Sequence, residues 1–180
     1  MKKIISMLTI VLALVSCSSS KNSESDSEKS AEKVAEQLTY QRAAKAIENW
    51  QFVLEADRSN VNGRRQAFVN SNTNFVMVDG DNGSVQIASN GTNPGLNNMG
   101  GITVDGTISA KSIKTDKKGN VFCTFSITGV GISAQISIRL YANSDNANLT
   151  VCPNFSNRDL NFSGRIVPLA QSNVFKGRSI

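Results

Sequence analysis

Asp79 and Asp81 stand two residues apart and just ahead of Gly83, a spacing that could open a calcium-binding loop. Such a loop needs another oxygen ligand at its fifth position and a bidentate Glu at its twelfth. Gly83 and Asn90 occupy those positions here, so Asp79-Gly80-Asp81-Asn82-Gly83 reads as a hairpin turn and no metal site is assigned. The other carboxylates suited to acid–base work are dispersed: Glu55 and Asp57 on one predicted strand, then Asp105, Asp116, Asp145 and Asp159. Glycoside hydrolysis wants two carboxyls about 5 to 9.5 Å apart across a cleft. Glu55 and Asp105 would meet that only on neighbouring strands.

The chain of 180 residues contains no histidine. That removes the commonest general base and metal ligand, and with them Ser–His and Cys–His nucleophilic chemistry. Cys123 lies on the inward parity of its predicted strand and reads as a small core hydrophobe. Cys152 lies opposite Leu149 and Val151, so a Cys123–Cys152 bridge is not expected. Gly129-Val130-Gly131 lacks the third glycine and following helix of a phosphate loop and reads as a bend between strands. No catalytic residue and no cofactor follow from these residues.

The N-terminus carries an address. Lys2 and Lys3 precede an apolar run from Ile4 to Val15, which is too short to span a bilayer and suits a signal peptide over residues 1–16. The run ends in Leu14-Val15-Ser16-Cys17, which looks like a bacterial lipobox. In lipoproteins with that motif the cysteine thiol receives a diacylglycerol and becomes the new N-terminus, so Cys17 is the predicted lipidation site. Multiple acyl chains hold a protein stably on a membrane without a transmembrane helix. Ser18, rather than Asp, follows the cysteine, which favours the outer membrane.

Residues 17–30 are rich in Ser and charge and contain no apolar side chain after the cysteine, so they read as a flexible tether. Residues 31–49 turn to Ala, Glu, Lys and Gln and predict a helix. Tyr40, Ala43, Ala44 and Ile47 form its docking face, while Val34 and Leu38 lie on a different one.

From Trp50 the apolar period becomes two. Phe52, Leu54 and Ala56 share a face. Phe75 to Val78 and Ser84 to Ala88 flank the Asp-Gly turn, after a polar connection from Asn60 to Asn74. Ile102, Val104, Gly106, Ile108 and Ala110 share another face, as do Val121, Cys123, Phe125 and Ile127. Ile132, Ala134, Ile136, Ile138 and Leu140 make the cleanest alternation, and Ala147 to Val151 and Leu160 to Val167 follow. About eight strands joined by polar turns predict an all-β domain over residues 50–180, an antiparallel sandwich or barrel preceded by one helix. The balance leans to the sandwich.

Phe52 to Arg58, Asn74 to Asp81, Gly100 to Gly106 and Phe162 to Ile166, in that order, resemble domain of unknown function 4251, a family of small bacterial envelope proteins that are often lipoproteins. The likeness spans roughly Tyr40 to Ile180. It implies a β fold at the cell envelope and brings no activity, ligand or catalytic residue with it.

The formal charge of +5 and pI near 9.3 include Lys2 and Lys3 of the predicted signal, and the remaining basic residues are scattered. Nucleic-acid binders concentrate such residues with aromatics, so a nucleic-acid partner is not expected. The segment from Asn90 to Gly101 places Leu96 and Met99 among Gly and Asn, and such loops on β scaffolds often carry binding. The expected function is a non-enzymatic binding or interaction module, lipid-anchored in the envelope, engaging an envelope protein or small ligand. The alternatives are a carboxylate-dependent hydrolase of envelope glycan or lipid and a purely structural envelope component.

Overall fold

The computed structural model describes residues 21–61, 65–88, 102–154 and 159–174. One helix, α1 (Lys21–Glu48), precedes nine strands: β1 (Gln51–Val61), β2 (Arg65–Phe68), β3 (Asn74–Asp79), β4 (Asn82–Ile87), β5 (Ile102–Thr115), β6 (Val121–Gly129), β7 (Ser133–Leu140), β8 (Asn146–Pro153) and β9 (Leu160–Pro168). A 3-10 turn, η1 (Leu169–Gln171), follows β9.

Every pairing is antiparallel, in the order β2-β1-β3-β4-β5-β6-β7-β8-β9, and β9 pairs back onto β1 from Asn161 to Pro168. That last pairing closes an eight-stranded barrel and decides against the sandwich. The closure depends on Gly164, where a Cβ would lie 2.0 Å from the Glu55 carbonyl oxygen. Only a residue without a side chain lets β9 approach β1 there. β2 continues the sheet beyond β3 by pairing with residues Arg58 to Val61 of β1, so the expected polar connection contains a short strand.

Alternation sends one side of each strand inward. Phe52, Leu54, Val76, Val78, Phe125, Ile127, Ile136, Ile138 and Leu140 are at most 2% exposed and form the barrel interior with Cys123, Leu149, Phe162 and Ile166. Side chains fill an eight-stranded barrel of this kind, and each large apolar residue contributes roughly 1.5–3 kcal/mol on burial. One parity expectation fails. The β5–β6 register shifts between Ser109 and Ser112, and Ala110 takes φ +51°. The extra residue of this bulge turns Ala110 outward, where it is exposed, and packs Ile113 against the core instead.

α1 closes one end of the barrel. Ala43, Ala46 and Ile47 join the core, and the Tyr40 hydroxyl donates to the Gly119 carbonyl oxygen at 2.6 Å in the β5–β6 turn. The helix starts at Lys21 rather than Ala31, so residues 21–30, expected as tether, are helical. Residues from Glu28 to Thr39 are exposed, so local propensity carries this part of α1 with little packing. The helix ends where Trp50 adopts φ +56°, a left-handed conformation that ordinarily suits glycine. Its ring meets Phe125 edge-on at 5.8 Å, and the Lys111 ammonium lies 4.9 Å from the ring centroid. These contacts offset the backbone strain and set the angle between α1 and β1.

Candidate functional site

Phe52, Val53 and Leu54 are three apolar residues in succession, and all three are fully buried. A strand with only one buried face would expose Val53. Here Val53 is buried and Glu55 is only 8% exposed; η1 packs against β1, and Ser172 just beyond it reaches Glu55.

Glu55 is therefore a buried carboxylate. Its register neighbour on β9, Arg165, donates from Nε and Nη2 to Glu55 Oε2 at 3.3 and 3.1 Å. Ser172 Oγ donates to Glu55 Oε1 at 2.8 Å. Both carboxylate oxygens are thus engaged, as burial of a charge requires.

The ion pair forms the floor of a polar cleft of about 350 Å³. α1 supplies Thr39 and Arg42 to its wall, the β2–β3 turn supplies Ser71 and Asn72, and the β7–β8 turn supplies Asp145. Gln171 and Asn173 close it from the C-terminal side. The β2–β3 turn is ordered locally. Asn70 Oδ1 accepts from the Asn72 backbone N–H at 2.9 Å, and the Asn70 carbonyl oxygen accepts from Asn74 Nδ2 at 2.9 Å. Asp145 is placed by its own backbone, whose carbonyl oxygen accepts from the Ile166 N–H at 2.8 Å. Amides and hydroxyls beside an internally neutralised ion pair suit a ligand bound through hydrogen bonds.

A second, more apolar groove of about 580 Å³ lies alongside. Leu38, Gln41, Arg42, Lys45 and Ala46 of α1 line one wall, and Pro168, Leu169 and Ala170 line the other.

Glu55 and Asp105, considered together for hydrolysis, are not brought together. β3 and β4 separate β1 from β5, and three strand spacings amount to about 14 Å. The structure instead places Glu55 and Asp145 on the same cleft. Asp79 pairs with Asn82 across a two-residue hairpin loop in which Gly80 has φ +60°. Asp81 within that loop bonds Lys111 Nζ at 2.5 Å, and the lysine also donates to the Gly80 carbonyl oxygen at 2.7 Å. The Lys111 ammonium lowers the Asp81 carboxyl below its ordinary value, first through the hydrogen bond and then through its charge.

Cys123 and Cys152 are free thiols. Burial pushes Cys123 up to about 12, and burial with the neighbouring Asp159 pushes Cys152 up to about 11. Neither is poised as a nucleophile. Among the described residues no cluster of three Asp, Glu or Cys could hold a metal. Cys17, Leu96 and Met99, the lipidation and ligand-contact residues expected from sequence, lie outside the described residues.

Of the cleft residues, sequence reasoning singled out Glu55 and Asp145 but missed Arg42, Arg165, Asn72, Gln171 and Asn173. The pairing of β9 with β1 brings Arg165 to Glu55 across 110 residues of chain, and no local pattern announces it.

Residues 34–166 match the model of the family described as Domain of unknown function (DUF4251). The chain is similar to a solved DUF4251 family protein from Bacteroides eggerthii DSM 20697, with 48% sequence identity and a TM-score of 0.73. That likeness covers 82% of this chain and 99% of the other. No curated protein matches the chain.

Proposed function

We propose that this chain, which belongs to the DUF4251 family, is a non-enzymatic binding module held at the cell envelope by a lipid on Cys17. The observation that carries the binding half is the polar cleft over Glu55 and Arg165. It gathers amides and hydroxyls from the helix, two turns and the C-terminal segment, while its central carboxylate is already matched by a cation. A site built for recognition has fixed hydrogen-bonding groups and need not hold a free acid and base. The anchoring half rests on Leu14-Val15-Ser16-Cys17 and the signal-like run before it. Leu96 and Met99, which follow β4 in the sequence, we assign to partner contact on their apolar character among Gly and Asn.

One observation favours a second reading, a carboxylate-dependent hydrolase of envelope glycan or lipid: Glu55 and Asp145 line one cleft. The Arg165 clamp weighs against it, because Glu55 would have to leave that cation to act on a substrate.

Two measurements test the proposal. Mass spectrometry of the mature protein should show an acylated N-terminal Cys17, and Cys17→Ala should release the protein from membranes; an unlipidated mature chain refutes the anchor. Pull-down of envelope proteins, together with glycan screens, should yield a ligand whose capture weakens with Asn72→Ala. Turnover of a glycan or lipid that Asp145→Asn abolishes would favour the hydrolase instead.

A further inference from the structure

We propose that the polar cleft and the apolar groove are one trough for an amphiphile, with a neutral, hydroxyl-rich head in the cleft and an alkyl portion in the groove. The inference rests on the binding reading above and names its ligand class. Arg42 of α1 and Pro168 of β9 line both cavities, so the two adjoin at these residues.

The two halves differ in chemistry. In the cleft, Ser71, Asn72, Gln171 and Asn173 all add donors and acceptors to the lining. The charges cancel: Arg165 is matched by Glu55, and Arg42 faces the same cavity as Asp145. A lining of mixed polarity and no net charge suits a polyol better than an ion. In the groove, Leu38, Ala46, Leu169 and Ala170 with Pro168 supply apolar surface. Leu38 is 47% exposed, and Val34, one turn earlier on α1, is 58% exposed. The apolar edge thus continues along α1 toward its N-terminal end.

The test uses full-length Cys17→Ala protein, which carries no acyl chain of its own. Octyl β-D-glucopyranoside below its micelle concentration, glucose and octanol are titrated separately while backbone amide shifts are followed. Octyl glucoside is expected to move the Asn72 and Asn173 amides together with those of Ala46 and Ala170. It should do so at about 10-fold or more lower concentration than glucose, a difference set by burial of the alkyl chain. Leu38→Glu, at an exposed position, should bring octyl glucoside down to the level of glucose. Asn72→Ala should weaken both sugars and leave octanol unchanged.

Equal responses to glucose and octyl glucoside would overturn the amphiphile and leave the polar-ligand reading standing. Equal responses to octanol and octyl glucoside, confined to Ala46 and Ala170, would mean an adventitious additive only and would also overturn it. Silence of the Asn72 and Asn173 amides in every titration overturns the trough. The binding reading is then decided separately by the pull-down.

Discussion

From Phe52 to Ala56 both faces of β1 are buried, but by different means. Phe52, Leu54 and Ala56 face a barrel interior to which all eight wall strands contribute. Val53 and Glu55 face outward and are buried where η1 packs against β1 and Ser172 bonds Glu55. The inner face is apolar and cooperative, since opening it means breaking the closed sheet. The outer face holds a charge, is shielded locally and borders the two cavities. One strand therefore joins the part of the molecule that carries stability to the part suited to recognition.

Phe52→Ala should have the largest effect. It removes a fully buried ring from the interior, and such changes cost about 3–5 kcal/mol. Urea unfolding should show the loss as a lower midpoint. If the cost were below about 1 kcal/mol, the distinction between a cooperative inner face and a locally covered outer face would fail.

Arg165→Ala comes next. It leaves Glu55 with only Ser172, and an under-satisfied buried charge costs roughly 1–3 kcal/mol. The lower part of that range is expected, because the Arg165 side chain is 62% exposed and its charge is screened by water. Adding Glu55→Gln should recover part of the loss, giving a measurable coupling in a double-mutant cycle. Strict additivity would show that the outer ion pair is not a unit.

Much of the inner face was legible from alternation. Val121 to Ile127 and Ile132 to Leu140 keep strict period two, and every second residue from Val121 to Ile127 and from Ala134 to Leu140 is buried as that period requires. Closure was not legible, because strand pattern records which side is wet and not which strand pairs last. Ala110 misled for a related reason: a bulge changes parity without changing composition. The outer site was legible only in part. Period two from Phe52 to Ala56 reads as a half-buried strand with Val53 and Glu55 on the wet face, whereas both are buried, and η1 with Ser172 reaches β1 only through tertiary packing.

Cys123 tests the inner face chemically, with a smaller effect. Its thiol is raised from 9.0 to about 12 by burial, so the folded state keeps its proton where the unfolded chain loses it. Stability from this group is full below pH 9 and falls as pH rises toward 12. Between pH 9 and 10 the loss should be about 1 kcal/mol, and Cys123→Ala should flatten that part of the profile. Ellman's reagent should react with Cys152 before Cys123, and with Cys123 only on unfolding.

The smallest effect belongs to Asp81, at the junction where neither face of β1 alone decides the structure. Its carboxyl is fully exposed but lowered by Lys111, which also covers the Trp50 ring. A carboxyl lowered in the folded state stabilises the fold above the unfolded value of 3.8, and that contribution vanishes as pH falls through the folded value. The urea midpoints of the parent and Asp81→Asn should therefore differ slightly at neutral pH and converge in acid. Convergence would mean that the pair merely trims a hinge already held by Trp50 against Phe125. A gap that persists below the folded value would place the stabilisation in the geometry of the Gly80–Asp81 turn, with the charge incidental to how α1 is set against the barrel.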